Sequence, residues 1–135
     1  TFIPDFELST EKARAALPKT IDHHDAVFNL ARAALLAGSL TTGKLENLGV
    51  AVGDCLHQPY RFDLIPDGHE VMHAAKAMGA LGAFISGAGP SIIAVVNSHD
   101  KTYLSRAQMY CEQHFPHWKP IRLVCDEVGA VVSEV

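Results

Sequence analysis

The chain has 135 residues, of which 48% are hydrophobic and 19% are charged, and its formal net charge at pH 7 is −4. This composition is typical of one globular domain and excludes a disordered or collagen-like chain. The sequence shows no stripe of lysine and arginine, which argues against nucleic-acid binding and favours a small-molecule ligand.

The cysteines and one uncharged segment bear on location. Cys55, Cys111 and Cys125 are odd in number and scattered, which favours a reducing compartment, so we expect a cytoplasmic protein. Residues 79–96 carry no charge and approach the length of a membrane span, but glycines and Pro90 interrupt them. We predict a buried β-hairpin there and no membrane segment.

Hydrophobic patterning and capping residues predict the elements in chain order. Strands are predicted at residues 2–8, 81–86, 91–97, 119–125 and, as a short terminal strand, 130–132. Helices are predicted at residues 10–17, 26–38, 42–56, 67–78 and 100–115. Asp22 is expected to cap the second helix together with Asp25, and that helix is apolar almost all round, which predicts burial. Pro59 is expected to end the third helix and Asp100 to cap the last one.

The order of these elements indicates the fold. With the helical block counted as one unit, it becomes β-α-β-β-α-β, the split motif of ferredoxin-like domains. We therefore predict an α+β fold, a ferredoxin-like sandwich in which an antiparallel sheet carries helices packed on one face.

A glycine-rich loop, Ser86-Gly87-Ala88-Gly89-Pro90-Ser91, joins the two central strands. Glycines would let backbone N–H groups approach an anion closely. The alternative interpretation is a hairpin loop in which Gly87 and Gly89 supply positive φ angles. Spacing alone leaves both open.

Three polar side chains are candidates for binding an anionic group. Thr10 and Arg14 share one face near a helix N-terminus and would suit a phosphate or carboxylate, although they are equally explained as a capping residue and a solvated arginine. Arg61 follows the proline-restricted segment His57-Gln58-Pro59-Tyr60 and could fork onto a carboxylate, or simply lie at the surface.

The eight histidines do not predict a metal site. His69 and His73 lie four residues apart, but no carboxylate or cysteine completes a familiar zinc spacing. His23, His24 and His57 are left as surface or substrate-lining groups. Neither a G-x-S-x-G elbow nor a G-x-x-x-x-G-K-[ST] loop is found, and helix capping explains Asp22 and Asp25, so no catalytic residue is assigned.

Three runs resemble the C-terminal half of the homoserine kinases, a branch of the GHMP family of small-molecule kinases. They are IPDFELSTEKARAALPKTIDHHDAVFN, HQPYRFDLIP and GALGAFISGAGPS, which together span about two-thirds of the chain. The S-G-A-G-P-S loop is shared by the wider GHMP family, whereas S-T-x-x-A-R-x-x-L-P and P-Y-R-x-x-L-I-P point to the homoserine kinases in particular.

The resemblance implies a ferredoxin-like C-terminal domain and ATP-dependent phosphorylation of the L-homoserine hydroxyl, giving O-phospho-L-homoserine on the route to threonine. It implies that Arg14 and Arg61 bind the substrate's α-carboxylate and that Thr10 lies near the transferred phosphoryl group. It also implies that Gly87 and Gly89 bring backbone amides to the substrate and phosphate side of the cleft.

The sequence departs from the family pattern in lacking the P-x-x-x-G-L-G-S-S loop for the ATP phosphates and the magnesium ligands, which the family carries in its N-terminal domain. We therefore expect residues 1–135 to be a GHMP C-terminal domain that is inactive alone. Its partners would be L-homoserine, ATP and an N-terminal domain that binds most of the ATP and Mg²⁺, and a homodimer is left open. The alternatives are another GHMP kinase or a stand-alone ferredoxin-like module that binds an amino acid.

Overall fold

The hairpin predicted around the glycine loop lies at one side of the observed sheet. In the computed structural model, which describes residues 1–133, β2 (Gly82–Ile85) and β3 (Ile92–Val95) pair antiparallel. β1 (Phe2–Pro4) pairs antiparallel with β3 and with β4 (Trp118–Pro120). The strand order β2-β3-β1-β4 is that of the split β-α-β-β-α-β motif, so the predicted ferredoxin-like α+β fold is confirmed.

Six α-helices connect and cover the strands within the described residues. They are α1 (Thr10–Ala15), α2 (His23–Thr42), α3 (Leu48–Ala51), α4 (Gln58–Phe62), α5 (Gly68–Ala77) and α6 (Tyr103–His114). A 3₁₀ turn at Leu45–Asn47 leads directly into α3. None of these helices is long and apolar enough to cross a membrane.

The hydrophobic core lies between one face of the sheet and the helices α5 and α6. Side chains alternate along a strand, so one face of the sheet is buried, and it carries Phe2, Ala83, Ile85, Ile92 and Trp118. The two helices contribute Val71, Ala75, Tyr103, Ala107 and Cys111. The Tyr103 hydroxyl donates to the Ala75 carbonyl at 3.0 Å, which joins α6 to α5. The prediction of helices packed on one face therefore holds for this core.

α3 lies against the edge strand β2 because Gly82 has no side chain. A Cβ atom at Gly82 would lie 3.2 Å from the Leu48 carbonyl oxygen, so a side chain here would require α3 to move away slightly. α2 in turn packs against α3 and the 3₁₀ turn. The contact with the sheet edge thus fixes where α2 and α3 stand.

The predicted helix at residues 42–56 is wrong. Thr42 ends α2, where its hydroxyl donates to the Gly38 carbonyl at 2.7 Å, and Gly43 follows with φ +71° as a left-handed C-terminal stop. Pro59 likewise does not end a helix. It lies in the first turn of α4, where the missing N–H costs no helical hydrogen bond.

The predicted burial of the second helix is also wrong. Only Ser39 of α2 is buried, whereas Val27 is 50% exposed and Leu30 is 72% exposed. Within the described residues this helix packs mainly against α3 and the 3₁₀ turn, which leaves much of its apolar surface exposed.

Several element ends differ from prediction. β1 and β4 have three residues each, and no strand forms between Pro120 and residue 133. Asp100 does not cap α6 directly: it accepts from the Thr102 N–H and pairs with Arg106 at 2.7 Å. The predicted cap of α2 is confirmed for Asp22, which accepts the His24 N–H at 2.7 Å, but Asp25 forms no hydrogen bond to the Asp22 N–H within residues 1–133.

The central position of β1 makes Phe2 a test of the core. Phe2 is 2% exposed, and we expect Phe2→Ala to lower the free energy of unfolding by about 3–5 kcal/mol because it leaves a cavity. Ile3 points to the opposite face and is 39% exposed, so Ile3→Ala should cost about 1 kcal/mol or less. Equilibrium urea unfolding measures both, and equal losses would contradict the assigned core face.

Candidate functional site

Arg61 joins three segments at one end of the sheet. Its Nη1 atom donates to the Gly87 carbonyl at 2.7 Å, and its Nε atom donates to the Ala13 carbonyl at 3.4 Å. Nη1 also lies 3.2 Å from Nδ1 of His57, one helical turn earlier. The guanidinium of α4 therefore holds the glycine loop and α1 together.

α4 begins where it does because Asp54 supplies its cap. The carboxylate accepts the N–H groups of Leu56, His57 and Gln58 at 3.2, 2.9 and 2.6 Å. The N–H groups of His57 and Gln58 are donors that the start of the helix leaves without an intrahelical partner. A carboxylate at this end is also favoured by the helix dipole.

Asn29 connects this cap to the long helix α2. Its Nδ2 atom donates to Oδ1 of Asp54 at 2.6 Å, and its Oδ1 atom accepts the Cys55 N–H at 2.8 Å. One amide side chain thus forms two hydrogen bonds to consecutive residues of the loop before α4. The loop is anchored to α2 across 25 residues of sequence.

Gln58 anchors α4 from the other side. Its side chain is buried, accepts the Ile85 N–H at 2.9 Å and donates to the Val52 carbonyl at 3.3 Å. Because Ile85 ends β2 immediately before the glycine loop, this bond fixes α4 relative to the loop. α4 is therefore held from α2 and from the sheet.

The surroundings set the charges of Asp54 and His57. Burial by itself raises the pKa of Asp54, whose side chain is 6% exposed, but the hydrogen bonds from Gln58, Asn29, His57 and Leu56 outweigh it and hold that pKa below its ordinary value. Burial lowers the pKa of His57. The negative charge of Asp54 opposes this shift, and the positive charge of Arg61 lowers the pKa further. Neutral His57 can accept at Nδ1, which a guanidinium donor requires.

Part of Arg61 is available to a ligand. Of the five guanidinium N–H groups, those on Nε and Nη1 are directed at protein atoms, and Nη2 has no partner within residues 1–133. Arg14 follows Ala13 in α1, is exposed, and makes no side-chain hydrogen bond or ion pair within the same residues. The structure thus connects Arg61 to the α1 backbone beside Arg14.

The glycine loop has the geometry of a tight turn. Gly87 and Gly89 have φ +56° and +90°, the Gly89 N–H donates to the Ser86 carbonyl at 2.9 Å, and the Ser86 N–H donates to the Ser91 carbonyl at 2.8 Å. The positive φ angles agree with the hairpin interpretation. The Gly89 amide is used inside the turn, whereas the amides of Gly87 and Ala88 have no backbone acceptor within residues 1–133.

The remaining candidates lie at helix starts. Thr10 is the first residue of α1 and is exposed, while Ser9 provides the cap by accepting the Lys12 N–H at 3.5 Å. His23 and His24 begin α2 and are exposed, and Nδ1 of His24 is 3.9 Å from Asp25. No hydrogen bond within residues 1–133 connects these three residues to Arg61.

Histidines and acidic residues do not gather into a metal centre in the described part of the chain. No group of three His, Cys, Asp or Glu side chains within residues 1–133 could hold a metal ion. His69 instead stacks on Phe62, with ring centroids 3.9 Å apart. The described residues therefore do not fit Mg²⁺ by themselves.

A cavity of about 200 Å³ adjoins the Asn29–Asp54 contact. Arg32 of α2 lines it, with its guanidinium 4.1 Å from the centre of the Phe28 ring. Its Nε atom is buried and has no hydrogen-bond partner within residues 1–133. His57 lines the same cavity, whereas Arg61 does not.

Three residues of this network were not among the sequence candidates: Asn29, Asp54 and Gln58. An aspartate five residues before Pro59 is a recognisable start for a helix with proline in its first turn. A single amide in the apolar run of α2 is a weaker indication that Asn29 has a buried partner. Nothing in the sequence pairs these two residues.

The chain matches a known family and its relatives. Residues 31–116 match the family model described as GHMP kinases C terminal. A protein of Caldicellulosiruptor saccharolyticus named homoserine kinase is 46% identical over 99% of this chain, and one of Clostridium botulinum with the same name is 39% identical over 98%. The chain covers 44% of each of these relatives, so it spans less than half of their length.

A solved structure agrees with the fold. The crystal structure of homoserine kinase from Cytophaga hutchinsonii superposes with a TM-score of 0.74 and is 31% identical in sequence. The match covers 83% of this chain and 36% of that one.

The two loop glycines should differ in their tolerance of a side chain. A Cβ atom at Gly89 would lie 2.9 Å from Cδ1 of Ile65 and 3.3 Å from Cγ2 of Ile85, so we expect Gly89→Ala to cost about 1–3 kcal/mol of unfolding free energy. Gly87 has nothing within 4 Å of such an atom, and Gly87→Ala should cost about 1 kcal/mol from its φ angle alone. Urea unfolding compares the two, and a larger loss for Gly87→Ala would contradict this geometry.

Proposed function

The chain belongs to the GHMP kinase family, and from that premise we propose that it is the substrate-binding half of a kinase acting on L-homoserine. In this reaction the substrate hydroxyl oxygen forms a bond to the γ-phosphorus of ATP, the bond to the ADP oxygen breaks, and the hydroxyl proton is lost. The product is O-phospho-L-homoserine. The observation that carries the proposal is the similarity of 98–99% of the chain to proteins named homoserine kinase.

The proposal includes a second domain. The matched relatives are more than twice the length of this chain, and we propose that an N-terminal domain binds most of the ATP and the Mg²⁺. The apolar side chains that α2 exposes, Leu30 above all, support an additional covering surface. Since the described residues hold no group suited to Mg²⁺, we derive no step through the metal from this chain.

Substrate binding is assigned to the two arginines. Arg61 offers its Nη2 edge from a position that three protein contacts hold, and the exposed Arg14 lies on the helix that Arg61 contacts. Two guanidinium groups binding one α-carboxylate would orient the hydroxyl at the far end of L-homoserine. Positioning is most of what an enzyme supplies in phosphoryl transfer.

The phosphate side of the site is assigned to the glycine loop and Thr10. The amides of Gly87 and Ala88 have no backbone acceptor within residues 1–133 and could donate to a phosphate or substrate oxygen. Gly89 would act by shaping the turn, since its own amide bonds Ser86. Thr10, exposed at the start of α1, is proposed to lie near the transferred phosphoryl group.

Another GHMP kinase activity is the second candidate, because the loop is common to that family. A stand-alone module that binds an amino acid is the third. The three scattered cysteines, all unpaired, favour a reducing compartment, and we propose the cytoplasm.

The reaction is tested by ADP release. The full-length protein, given ATP and Mg²⁺, should release ADP in the presence of L-homoserine and not with mevalonate, galactose or no acceptor. Release with a different acceptor would assign another GHMP kinase. Binding of an amino acid without any release would favour the regulatory module, and turnover by residues 1–135 alone would refute the need for a second domain.

The two arginines are tested by substitution in the full-length protein. We expect Arg14→Ala and Arg61→Ala each to lower kcat/KM for L-homoserine by about 30-fold or more, equivalent to about 2 kcal/mol, mainly through KM. Each change removes a charged partner of the substrate carboxylate. Steady-state kinetics with L-homoserine varied at saturating ATP measures the effect.

Arg122→Ala is the matched control, because Arg122 is an exposed arginine outside any helix or strand. It should leave KM for L-homoserine within about twofold of the unaltered protein. An unchanged KM in Arg14→Ala or Arg61→Ala would remove that residue from the carboxylate site.

A further inference from the structure

We propose that Asp54, held by Asn29, is a positioning residue that sets the orientation of the Arg61 guanidinium. Asp54 has no assigned part in binding and is too buried to offer its carboxylate to a substrate, since its side chain is 6% exposed. Its oxygens are occupied by four N–H donors of the protein. Asp54 therefore affects substrate binding through the residues whose positions it fixes.

The first step runs from α2 to the start of α4. Asn29 fixes the carboxylate through Nδ2 at 2.6 Å and fixes the neighbouring Cys55 amide at 2.8 Å. The carboxylate then fixes the N–H groups of His57 and Gln58. This group therefore fixes the first residues of α4 from the α2 side, while the Gln58 side chain fixes them from the sheet.

The second step runs along α4 to the substrate side. The helix has only five residues. His57 precedes it and lies one turn before Arg61, whose N–H donates to the His57 carbonyl at 3.1 Å. Nδ1 of His57 also lies 3.2 Å from Nη1 of Arg61. A tilt of the backbone at His57 would therefore displace Arg61 directly, because α4 is too short to absorb the tilt over further turns.

The third step explains why orientation matters. Nη1 reaches the Gly87 carbonyl at 2.7 Å, and in this placement Nη2 has no protein acceptor within residues 1–133. A guanidinium released from His57 and Gly87 would lose its fixed direction, and positioning errors near 1 Å can cost about 100-fold in rate. The effect on substrate rests on the proposed function, whereas the positioning of Arg61 does not.

The kinetic experiment uses Asp54→Asn in the full-length protein, with the milder Asn29→Ala as a second variant in case the first does not fold. We expect KM for L-homoserine to rise about tenfold or more while KM for ATP stays within about twofold. In an Arg61→Ala background the same substitution should change KM for L-homoserine by less than about twofold, because the residue through which it acts is gone.

Two matched controls separate positioning from loss of stability. In an Arg14→Ala background Asp54→Asn should still raise KM for L-homoserine, since Arg61 remains and Arg14 makes no side-chain hydrogen bond or ion pair with this network within residues 1–133. Asp100→Asn removes the carboxylate that pairs with Arg106 at the start of α6 and should lower stability without changing KM for L-homoserine.

A second measurement needs no activity. The Nε–H resonance of Arg61, identified by its loss in Arg61→Ala, should shift in Asp54→Asn and Asn29→Ala and stay in place in Asp100→Asn. If it stays in place in both network variants, the inference is overturned whatever the kinetics. An equal effect of Asp54→Asn on KM with and without Arg61 would overturn it as well. If the resonance shifts while Arg61→Ala leaves KM unchanged, the positioning stands and the carboxylate role of Arg61 fails.

Discussion

The candidate site depends on the hydrogen bonds that satisfy one buried carboxylate, that of Asp54. A buried charge is costly unless it is paired or fully hydrogen-bonded, and within residues 1–133 the donors at hydrogen-bond distance from the Asp54 carboxylate are four neutral N–H groups and no cation. Three of these donors are backbone groups just before and at the start of α4, and the fourth comes from α2. Satisfying the charge therefore forces the loop, the short helix and the long helix into one arrangement.

Arg61 depends on that arrangement, and in the proposed function its donors are divided between protein contacts and the ligand. The Nε and Nη1 atoms hold α1 and the glycine loop, so the side chain loses little further freedom when Nη2 meets a carboxylate. The Gly87 carbonyl accepts a hydrogen bond from Arg61. This bond fixes the position of the arginine that would bind the carboxylate relative to the loop that would face the phosphate. Gln58 also fixes α4 relative to the loop, because its side chain accepts the N–H of Ile85, the last residue of β2.

The hairpin could be predicted from the sequence because its information is local: the apolar runs on either side of the glycine loop form it. The pairing of β1 with β3 and β4 is long-range, and it was predicted from the order of the elements and the split motif. The structure of residues 42–56 could not be predicted, because the periodicity of Leu45, Leu48 and Val52 resembles that of one continuous helix. What interrupts it is the left-handed Gly43 and the contact of α3 with β2, and the second of these exists only after the sheet has formed.

The candidate residues could be selected from the sequence, but the contacts that hold them could not. Arginines and glycines near a helix start or a hairpin are visible as residue types, which is why Arg14, Arg61, Gly87 and Gly89 could be selected. Asp54 could have been recognised as a cap from its distance to Pro59, but Asn29 is 25 residues away and acquires its partner through tertiary packing. Whether a cap merely starts a helix or also directs a side chain depends on the helix that follows. In α4 a single turn separates the capped residues from Arg61, so on our proposal the carboxylate that stabilises the start of the helix also orients this side chain.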